Sequence, residues 1–196
     1  MPSCSDEKLI ESCKAGNKAH ARLLFERYKG YVWGLIWNII RDAEITRDLT
    51  QDTFFRVFKG LPKFKGESSF KTWLSRIAVN VCKDHIGSTK RRHWEALVSL
   101  DDPESPPIEK AAPGQLAKNP LRELLYEERK NKVYKAIDRL PVDHQITILL
   151  WIEGRSYKEI SKITNTSTKT VGSRVHYAKM KLREHLKSYM NSAISP

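Results

Sequence analysis

The 196 residues include 35 lysines and arginines against 23 acidic residues, which gives a formal net charge of +12. This excess of positive charge favours an anionic partner, with nucleic acid ahead of a membrane surface. The three cysteines are widely spaced and odd in number, which argues against a disulfide framework or a zinc site and fits a reducing compartment.

The ends of the chain and its most apolar window give no sign of export or of membrane insertion. The first residues are rich in acids and lack the apolar core of a signal peptide. The most apolar window, residues 31–40, is about half as long as a membrane span. We therefore expect a soluble, cytoplasmic protein.

Apolar residues at helical spacings predict three helices before residue 60. Ser5 caps the first, which Gly16 ends, and Asn17 starts a longer second helix with a wide apolar face. Asp42 caps a third helix, which runs to about Lys59.

A loop and a fourth helix complete the first half of the chain. The loop covers residues 61–67, where proline and glycine interrupt the pattern. Ser68 or Ser69 caps the fourth helix, which we expect to end near Gly87. No stretch alternates as a strand would, so the first half is predicted to be a compact helical domain.

Aromatic and basic side chains interleave between residues 48 and 92. From Lys63 to Arg92 there are eight lysines and arginines against two acids. Such a pattern suits single-stranded nucleic acid, because bases stack on rings while cations follow the phosphates. The competing interpretation is that most of these rings are core, although Phe64 differs because it lies between two lysines in the loop.

The composition changes between residues 99 and 120, which hold five of the nine prolines and four acids. This segment predicts an extended, partly disordered linker. We therefore expect an all-α fold of two small helical domains, residues 1–95 and 120–196, joined by a flexible linker at residues 96–119.

The last third of the chain predicts a helix-turn-helix. Helices resume at Pro120, and Ser156 and Glu159 have the spacing of a capping box. Asn165 marks a tight polar turn, and Ser167 caps the final, strongly basic helix. The second of these helices would present base-reading and phosphate-binding side chains. An ordinary basic helical hairpin is the alternative.

No catalytic constellation is apparent. The glycine-rich phosphate loops, the zinc-protease motif and the serine-hydrolase motif are all absent, and the six histidines lack metal-ligand spacing. The adjacent acids Asp101 and Asp102 have no neighbouring base. The sequence therefore predicts no enzyme, no metal, no cofactor and no small-molecule substrate.

Three stretches together resemble a bacterial extracytoplasmic-function (group 4) sigma factor of the sigma-70 family, over nearly the whole chain. Residues 48–54, DLTQDTF, are similar to the family's D-L-x-Q-[ED]-x-F. Residues 64–80 match its F-x-G-x-S-x-F-x-x-W-L-x-R-I-A-x-N. In the last domain the similar positions are Leu140, Pro141, Gly154, 157–160 and 170–175.

This resemblance implies that core RNA polymerase is the partner, bound at its β′ clamp helices and its β flap. The helix at residues 48–61 would dock on the clamp helices. The implied polymerase-binding residues are Asp48, Leu49, Gln51, Asp52, Phe54, Phe55 and Phe58. The linker would pass through the polymerase channels, and an anti-sigma factor is expected to control the protein.

The resemblance also implies promoter DNA as a partner at two places. The loop at residues 64–69 would capture a flipped base of the −10 element, and the final helix would read the −35 element. The implied −10 residues are Phe64, Lys65, Gly66, Glu67, Ser68, Ser69, Lys71, Trp73, Arg76, Asn80, Lys83, Lys90, Arg91 and Arg92. The implied −35 residues are Ser156, Tyr157, Thr168, Lys169, Thr170, Gly172, Ser173, Arg174, His176, Tyr177 and Lys179.

One departure concerns the recognition helix, where Gly172 stands in place of the family's usual lysine or arginine. The rival hypothesis is a stand-alone dimeric helix-turn-helix regulator, which would bind duplex DNA without polymerase. The motif at residues 48–54 discriminates between the two, because such a regulator has no use for a polymerase-docking helix.

Overall fold

A computed structural model describes the backbone of residues 5–99 and 120–194, and the side chains of residues 5–89 and 127–187. These ranges contain α-helices and one 3₁₀ turn, Leu61–Lys63, and no strand. The helices are α1 (Asp6–Lys14), α2 (Lys18–Ile40), α3 (Ala43–Gly60), α4 (Phe70–Ser99), α5 (Pro120–Asp138), α6 (Val142–Ile152), α7 (Tyr157–Thr164) and α8 (Thr168–Ile194).

The chain divides into two compact units, Met1–Lys110 and Ala111–Pro196. The predicted all-α fold with two small helical domains is therefore confirmed. The predicted domain boundaries stay a prediction, and most of the predicted linker, residues 100–119, lies outside the described residues.

Helix α2 is the centre of the first unit and contacts α1, α3 and α4. Asn17 caps it by accepting hydrogen bonds from the amides of Ala19 and His20 at 3.0 and 3.1 Å. The helix ends at Ile40, and the next residue, Arg41, has a left-handed backbone. Asp42 then caps α3 by accepting from the Ile45 amide at 2.9 Å, so local polar groups set both ends of the connection.

The core of the first unit follows from the apolar stripes of its helices. Leu9 of α1, Leu24 and Ile36 of α2, Val57 of α3 and Leu74 of α4 are all fully buried. Burying a side chain of this size stabilises a fold by about 1.5–3 kcal/mol. Helices α3 and α4 therefore pack against the same hydrophobic core.

Helix α4 is longer than predicted, because it continues through Gly87 to Ser99. A glycine inside a helix costs only about 1 kcal/mol relative to alanine, which is too little to end a helix by itself. The hydroxyls of the next two residues, Ser88 and Thr89, form hydrogen bonds within the helix, since they donate to the His85 carbonyl at 2.8 and 2.9 Å. The predicted end near Gly87 was therefore wrong.

In the second unit, α8 contacts α5, α6 and α7. Apolar side chains from α6, α7 and α8 close its core, including Ile146, Leu150, Ile160, Ile163 and Val175, all of which are buried. None of the described helices combines the length and the hydropathy that a membrane crossing requires.

The predicted helix-turn-helix is confirmed in α7 and α8. Ser156 and Glu159 form the expected capping box: the Ser156 amide donates to the Glu159 carboxylate at 2.9 Å, and the Glu159 amide donates to Ser156 Oγ at 3.2 Å. Asn165 turns the chain with a φ of 53°. Ser167 then caps α8 by accepting from the Thr170 amide at 3.0 Å.

Candidate functional site

The outer face of α3 carries four of the predicted polymerase-binding residues in one stripe. Asp48, Gln51, Asp52 and Phe55 occupy positions i, i+3, i+4 and i+7 of the helix and therefore share a face. Asp48 and Gln51 are exposed, and the Phe55 ring is 67% exposed. We call these four residues the α3 stripe. It combines polar groups with an exposed apolar ring that is not part of the core.

Asp52 is tied to the fold more closely than its neighbours in the α3 stripe. Its carboxylate pairs with Arg56 at 3.0 Å, and Arg56 also reaches Asp84 of α4 at 2.7 Å. These two carboxylates, Asp84 first, raise the pKa of Arg56. Asp52 therefore helps to join α3 to α4 at the edge of the stripe.

The remaining residues of the predicted polymerase set lie beneath the α3 stripe. Phe54 is buried and meets Phe25 of α2 edge-on, with 4.7 Å between ring centroids. Phe58 is half-buried, 6.2 Å from Phe54, and Leu49 is also half-buried. These three side chains pack α3 against the first unit. Direct contact with a partner protein would therefore come from the α3 stripe.

A groove of about 340 Å³ between α2 and α3 adjoins the stripe and was not predicted. The sequence contained one signal for this groove, because Trp33 lies off the predicted apolar face of α2. In the structure the Trp33 side chain is 38% exposed. The groove has aromatic walls and basic side chains along its edge. Its lining residues are Phe25, Lys29, Gly30, Trp33, Arg47, Thr50 and Gln51.

The predicted −10 loop, residues 64–69, connects the 3₁₀ turn to α4. Gly66 has a φ of 77°, a conformation that favours glycine. Ser69 caps α4 by accepting from the Thr72 amide at 3.2 Å. Lys65, Gly66, Glu67 and Ser69 are exposed, and Ser68 is half-buried.

Phe64 is not a free ring at the tip of this loop. It is half-buried, 4.9 Å from Trp73 and 5.9 Å from Phe70 between ring centroids. Trp73 in turn lies close over Gly60, where an added Cβ would come within 3.4 Å of the indole. Phe70 is thus a core residue, as the competing interpretation held, while Phe64 and Trp73 are half-buried and pack against it at the base of the loop.

Helix α4 carries polar and basic side chains on the face that follows the loop. Trp73, Arg76, Asn80 and Lys83 are spaced by three, four and three residues and so share one face. Asn80 is exposed, while Arg76 and Lys83 are half-buried. Lys71 is also exposed, with its ammonium 4.5 Å from the Tyr31 ring. The side chains of Lys90, Arg91 and Arg92 lie outside the described residues.

The N-terminal part of α8 presents most of the predicted −35 residues. Thr168, Lys169, Ser173, His176 and Tyr177 are exposed, and Thr170 is half-buried. Ser156 is exposed at the start of α7. Lys169, Ser173 and His176 are spaced by four and three residues and therefore share an exposed face of α8.

Gly172 is covered by the ring of Tyr157, which is 41% exposed at the first position of α7. A Cβ at Gly172 would lie 3.6 Å from this ring, which is ordinary van der Waals contact. A longer side chain would have to pass the ring or displace it. The aromatic side chain thus occupies the surface above the glycine.

Two of the predicted −35 residues, Arg174 and Lys179, contact other side chains of the second unit. Arg174 donates to the Asp143 carboxylate of α6 at 2.7 Å, and its side chain is only 18% exposed. The Lys179 ammonium lies 3.6 Å from the centroid of the Trp151 ring. Sequence reasoning missed Asp143 and Trp151, because partners this far along the chain leave no local pattern.

His144 lies beside the Arg174 ion pair, with its ring 4.8 Å from Tyr177. Partial burial lowers the pKa of His144, the Arg174 charge lowers it further, and Asp143 opposes both. The neutral imidazole is therefore the favoured form where α6 meets α8. Within the described residues, no group of three or more His, Cys, Asp or Glu side chains is arranged to hold a metal ion.

Two family models match the chain, and they cover the two units separately. Sigma-70 region 2 matches residues 24–92, and Sigma-70, region 4 matches residues 130–182. The chain is also 31% identical to the RNA polymerase sigma-H factor of Pseudomonas aeruginosa, over 96% of this chain and 97% of that protein. It is 30% identical to the ECF RNA polymerase sigma-E factor of Haemophilus influenzae, over 95% and 97% of the two chains. The chain belongs to the extracytoplasmic-function sigma factors of the sigma-70 family.

Two solved structures share the fold. The sigma factor RpoE of Bartonella quintana, in complex with the anti-sigma factor NepR, has 23% identity and a TM-score of 0.57, covering 85% of this chain and 96% of that one. CnrH, in complex with the cytosolic domain of CnrY, has 20% identity and a TM-score of 0.58, covering 97% and 99%.

The family assignment confirms the resemblance stated from the three sequence stretches. In this sigma factor the α3 stripe, the loop at residues 64–69 and the α4 face all lie within the region 2 match. Helices α7 and the start of α8 lie within the region 4 match. The roles of individual residues in these surfaces stay predictions.

Proposed function

We propose that this sigma factor binds core RNA polymerase in the cytoplasm and directs it to specific promoters. The α3 stripe would dock on the β′ clamp helices. The loop at residues 64–69 and the α4 face would bind the melted −10 element, and α8 would bind the duplex −35 element. The protein supplies binding and positioning here, while the polymerase supplies the chemistry.

The observation that carries this proposal is the presence of the α3 stripe and the helix-turn-helix in one chain. The stripe contains exposed Asp48, Gln51 and Phe55 on a helix that Phe54 anchors to the core. A stand-alone dimeric regulator would need the helix-turn-helix but has no role for such a face. The stripe therefore favours the sigma factor over that alternative.

Transcription in vitro with core polymerase and fragmented genomic DNA tests the proposal. We expect defined run-off products only when the sigma factor is added. Sequencing of their 5′ ends would then give common −35 and −10 elements. Tight binding to duplex DNA without polymerase, together with no new transcripts, would instead support the stand-alone regulator.

We further propose that an anti-sigma factor controls this protein. Support comes from the shared fold with RpoE, which was solved in complex with the anti-sigma factor NepR, and with CnrH, which was solved in complex with the cytosolic domain of CnrY. The groove beside the α3 stripe offers an aromatic surface that such a partner could cover. Affinity purification from uninduced cells that recovered core polymerase and no second protein would contradict this.

A further inference from the structure

Helix α1 lies outside the region 2 match, which begins at residue 24, yet it contacts the segment that leads into the −10 loop. It packs on α2 and on the 3₁₀ turn Leu61–Lys63. Leu9 and Ile10 of α1 are buried, and so is Leu61 of the turn. The Phe64 amide then donates to the Leu61 carbonyl at 3.0 Å, so the entrance of the loop begins on a surface that α1 helps to support.

The first residue of α1, Asp6, is joined to the middle of α2. Arg27 Nη1 donates to one carboxylate oxygen at 2.5 Å, and the Tyr28 hydroxyl donates to the other. Burial, and next the hydrogen bond to Asp6, raise the pKa of Tyr28, so that its hydroxyl stays a donor. A charged acceptor makes such hydrogen bonds shorter and stronger than neutral ones.

The other side of Tyr28 faces the exit of the −10 loop. Its ring meets Phe70, the first residue of α4, edge-on with 5.2 Å between centroids. Phe70 is 5% exposed and lies 5.9 Å from Phe64. A chain of contacts thus leads from Asp6 through Tyr28 and Phe70 to the ring at the base of the loop.

We propose that Asp6 is a positioning residue for capture of the −10 base: it fixes Tyr28, which fixes Phe70 and, through it, the base of the loop at residues 64–69. A pocket for a flipped base requires a preorganised geometry, because ordering the loop during capture would oppose strand opening. Asp6 itself does not touch DNA. This inference rests on the proposed role of the loop in promoter opening.

The test compares Asp6→Ala with Glu7→Ala in full-length protein assembled with core polymerase. Glu7 is exposed in the same first turn of α1, so the control removes an equal charge from the same helix end. Opening is followed with a fluorescent base in the −10 element of a promoter found by the run-off experiment. We expect Asp6→Ala to open the duplex promoter roughly tenfold more slowly, since contacts of this kind fix the geometry of the site, while Glu7→Ala opens it as the wild type does.

A template with a pre-melted −10 bubble separates positioning from general damage. Asp6→Ala should bind core polymerase normally and should regain most of its activity on the bubble. Tyr28→Phe keeps the ring against Phe70 but removes the hydroxyl, so it should reproduce most of the defect. The double variant should be no slower than Asp6→Ala, because both changes break the same link.

Three results would overturn the proposal. One is wild-type opening by Asp6→Ala, and another is an equal loss on the duplex and on the bubble. If Asp6→Ala is unfolded at the assay temperature, Tyr28→Phe decides, and wild-type opening by that variant is the third. A wild-type protein that starts no transcription would instead contradict the proposed function.

Discussion

At the scale of single residues, the structure separates charges that serve the fold from charges that are free to meet DNA. Arg174 and Lys169 are both on α8 and both were predicted to bind at the −35 element. Lys169 is exposed, whereas Arg174 is drawn inward to Asp143 at 2.7 Å. An exposed ion pair contributes little to stability, whereas removing one partner of a shielded pair is costly, because the other charge loses its compensation.

We therefore predict that Arg174→Ala destabilises the second unit, whereas Lys169→Ala does not. Removing Arg174 leaves the Asp143 carboxylate without its partner from α8, and the free energy of unfolding should fall by about 1–2 kcal/mol. Lys169→Ala should stay within about 0.5 kcal/mol of wild type. Urea denaturation followed by circular dichroism measures both. Equal stability of the two variants would show that the Arg174–Asp143 pair does not stabilise the unit.

At the scale of helices, α3 shows how one element can divide its sides between core and partner. Phe54 and Phe55 are neighbours in sequence, yet Phe54 is 3% exposed and Phe55 is 67% exposed. The helical period explains this, since successive residues lie about 100° apart around the axis. Only the outward ring is free for a second protein.

This contrast leads to a prediction about polymerase binding. Phe55→Ala should leave the unfolding transition unchanged and weaken the affinity for core polymerase at least several-fold, as expected for an aromatic contact at an interface. Leu23→Ala is the matched control, because Leu23 is also an exposed apolar residue, at 53%, but lies on α2 outside the α3 stripe. Binding is measured by titrating core polymerase with labelled protein. Equal affinities of the two variants would remove Phe55 from the interface.

The helices themselves illustrate which features a sequence can predict. The caps at Asn17, Asp42 and Ser156 were readable, because capping depends on side chains within a few residues. The end of α4 could not be predicted from Gly87, since a single interior glycine costs too little to end a helix. The Arg174–Asp143 pair spans 31 residues, so only the fold could bring it together.

The same distinction applies to the predicted DNA-binding surfaces. Helical spacing predicted most of the exposed positions of the final helix, since Thr168, Lys169 and Ser173 are exposed as expected, whereas Gly172 is half-buried. The position of Phe64 could not be predicted in this way. Its place between two lysines in a loop set it apart from the core rings, but in the structure it packs against Trp73. Burial of a loop residue depends on neighbours that local sequence cannot specify.

At the scale of the whole molecule, the net charge of +12 draws both units towards DNA, but the two surfaces differ in what they can bind. The loop at residues 64–69 has a polar surface on an aromatic base, which suits an unpaired nucleotide. The α8 surface is a basic helix, which suits a duplex groove. The two contacts should therefore fail in different ways when they are weakened.

We predict that Phe64→Ala impairs promoter opening, while Lys169→Ala impairs the closed complex. Stacking on an aromatic ring is worth about 1–3 kcal/mol per base, so loss of Phe64 should slow opening while duplex binding is retained. A pre-melted −10 bubble should restore part of that activity. Lys169→Ala should weaken duplex binding and lower the slope of log affinity against log salt by about one unit, as for one lost phosphate contact.

Closed complexes are measured at low temperature by filter binding over a range of salt, and opening is measured with the fluorescent −10 base. Because Phe64 also packs on Trp73 and Phe70, Phe64→Leu is the control that keeps apolar packing but removes the ring. If the lost interaction is stacking on the base, Phe64→Leu should open promoters as poorly as Phe64→Ala. If the lost interaction is packing within the protein, Phe64→Leu should open promoters nearly as well as the wild type. Equal loss of closed-complex binding in the Phe64→Ala and Lys169→Ala variants, without rescue by the bubble, would show that the two surfaces do not act separately.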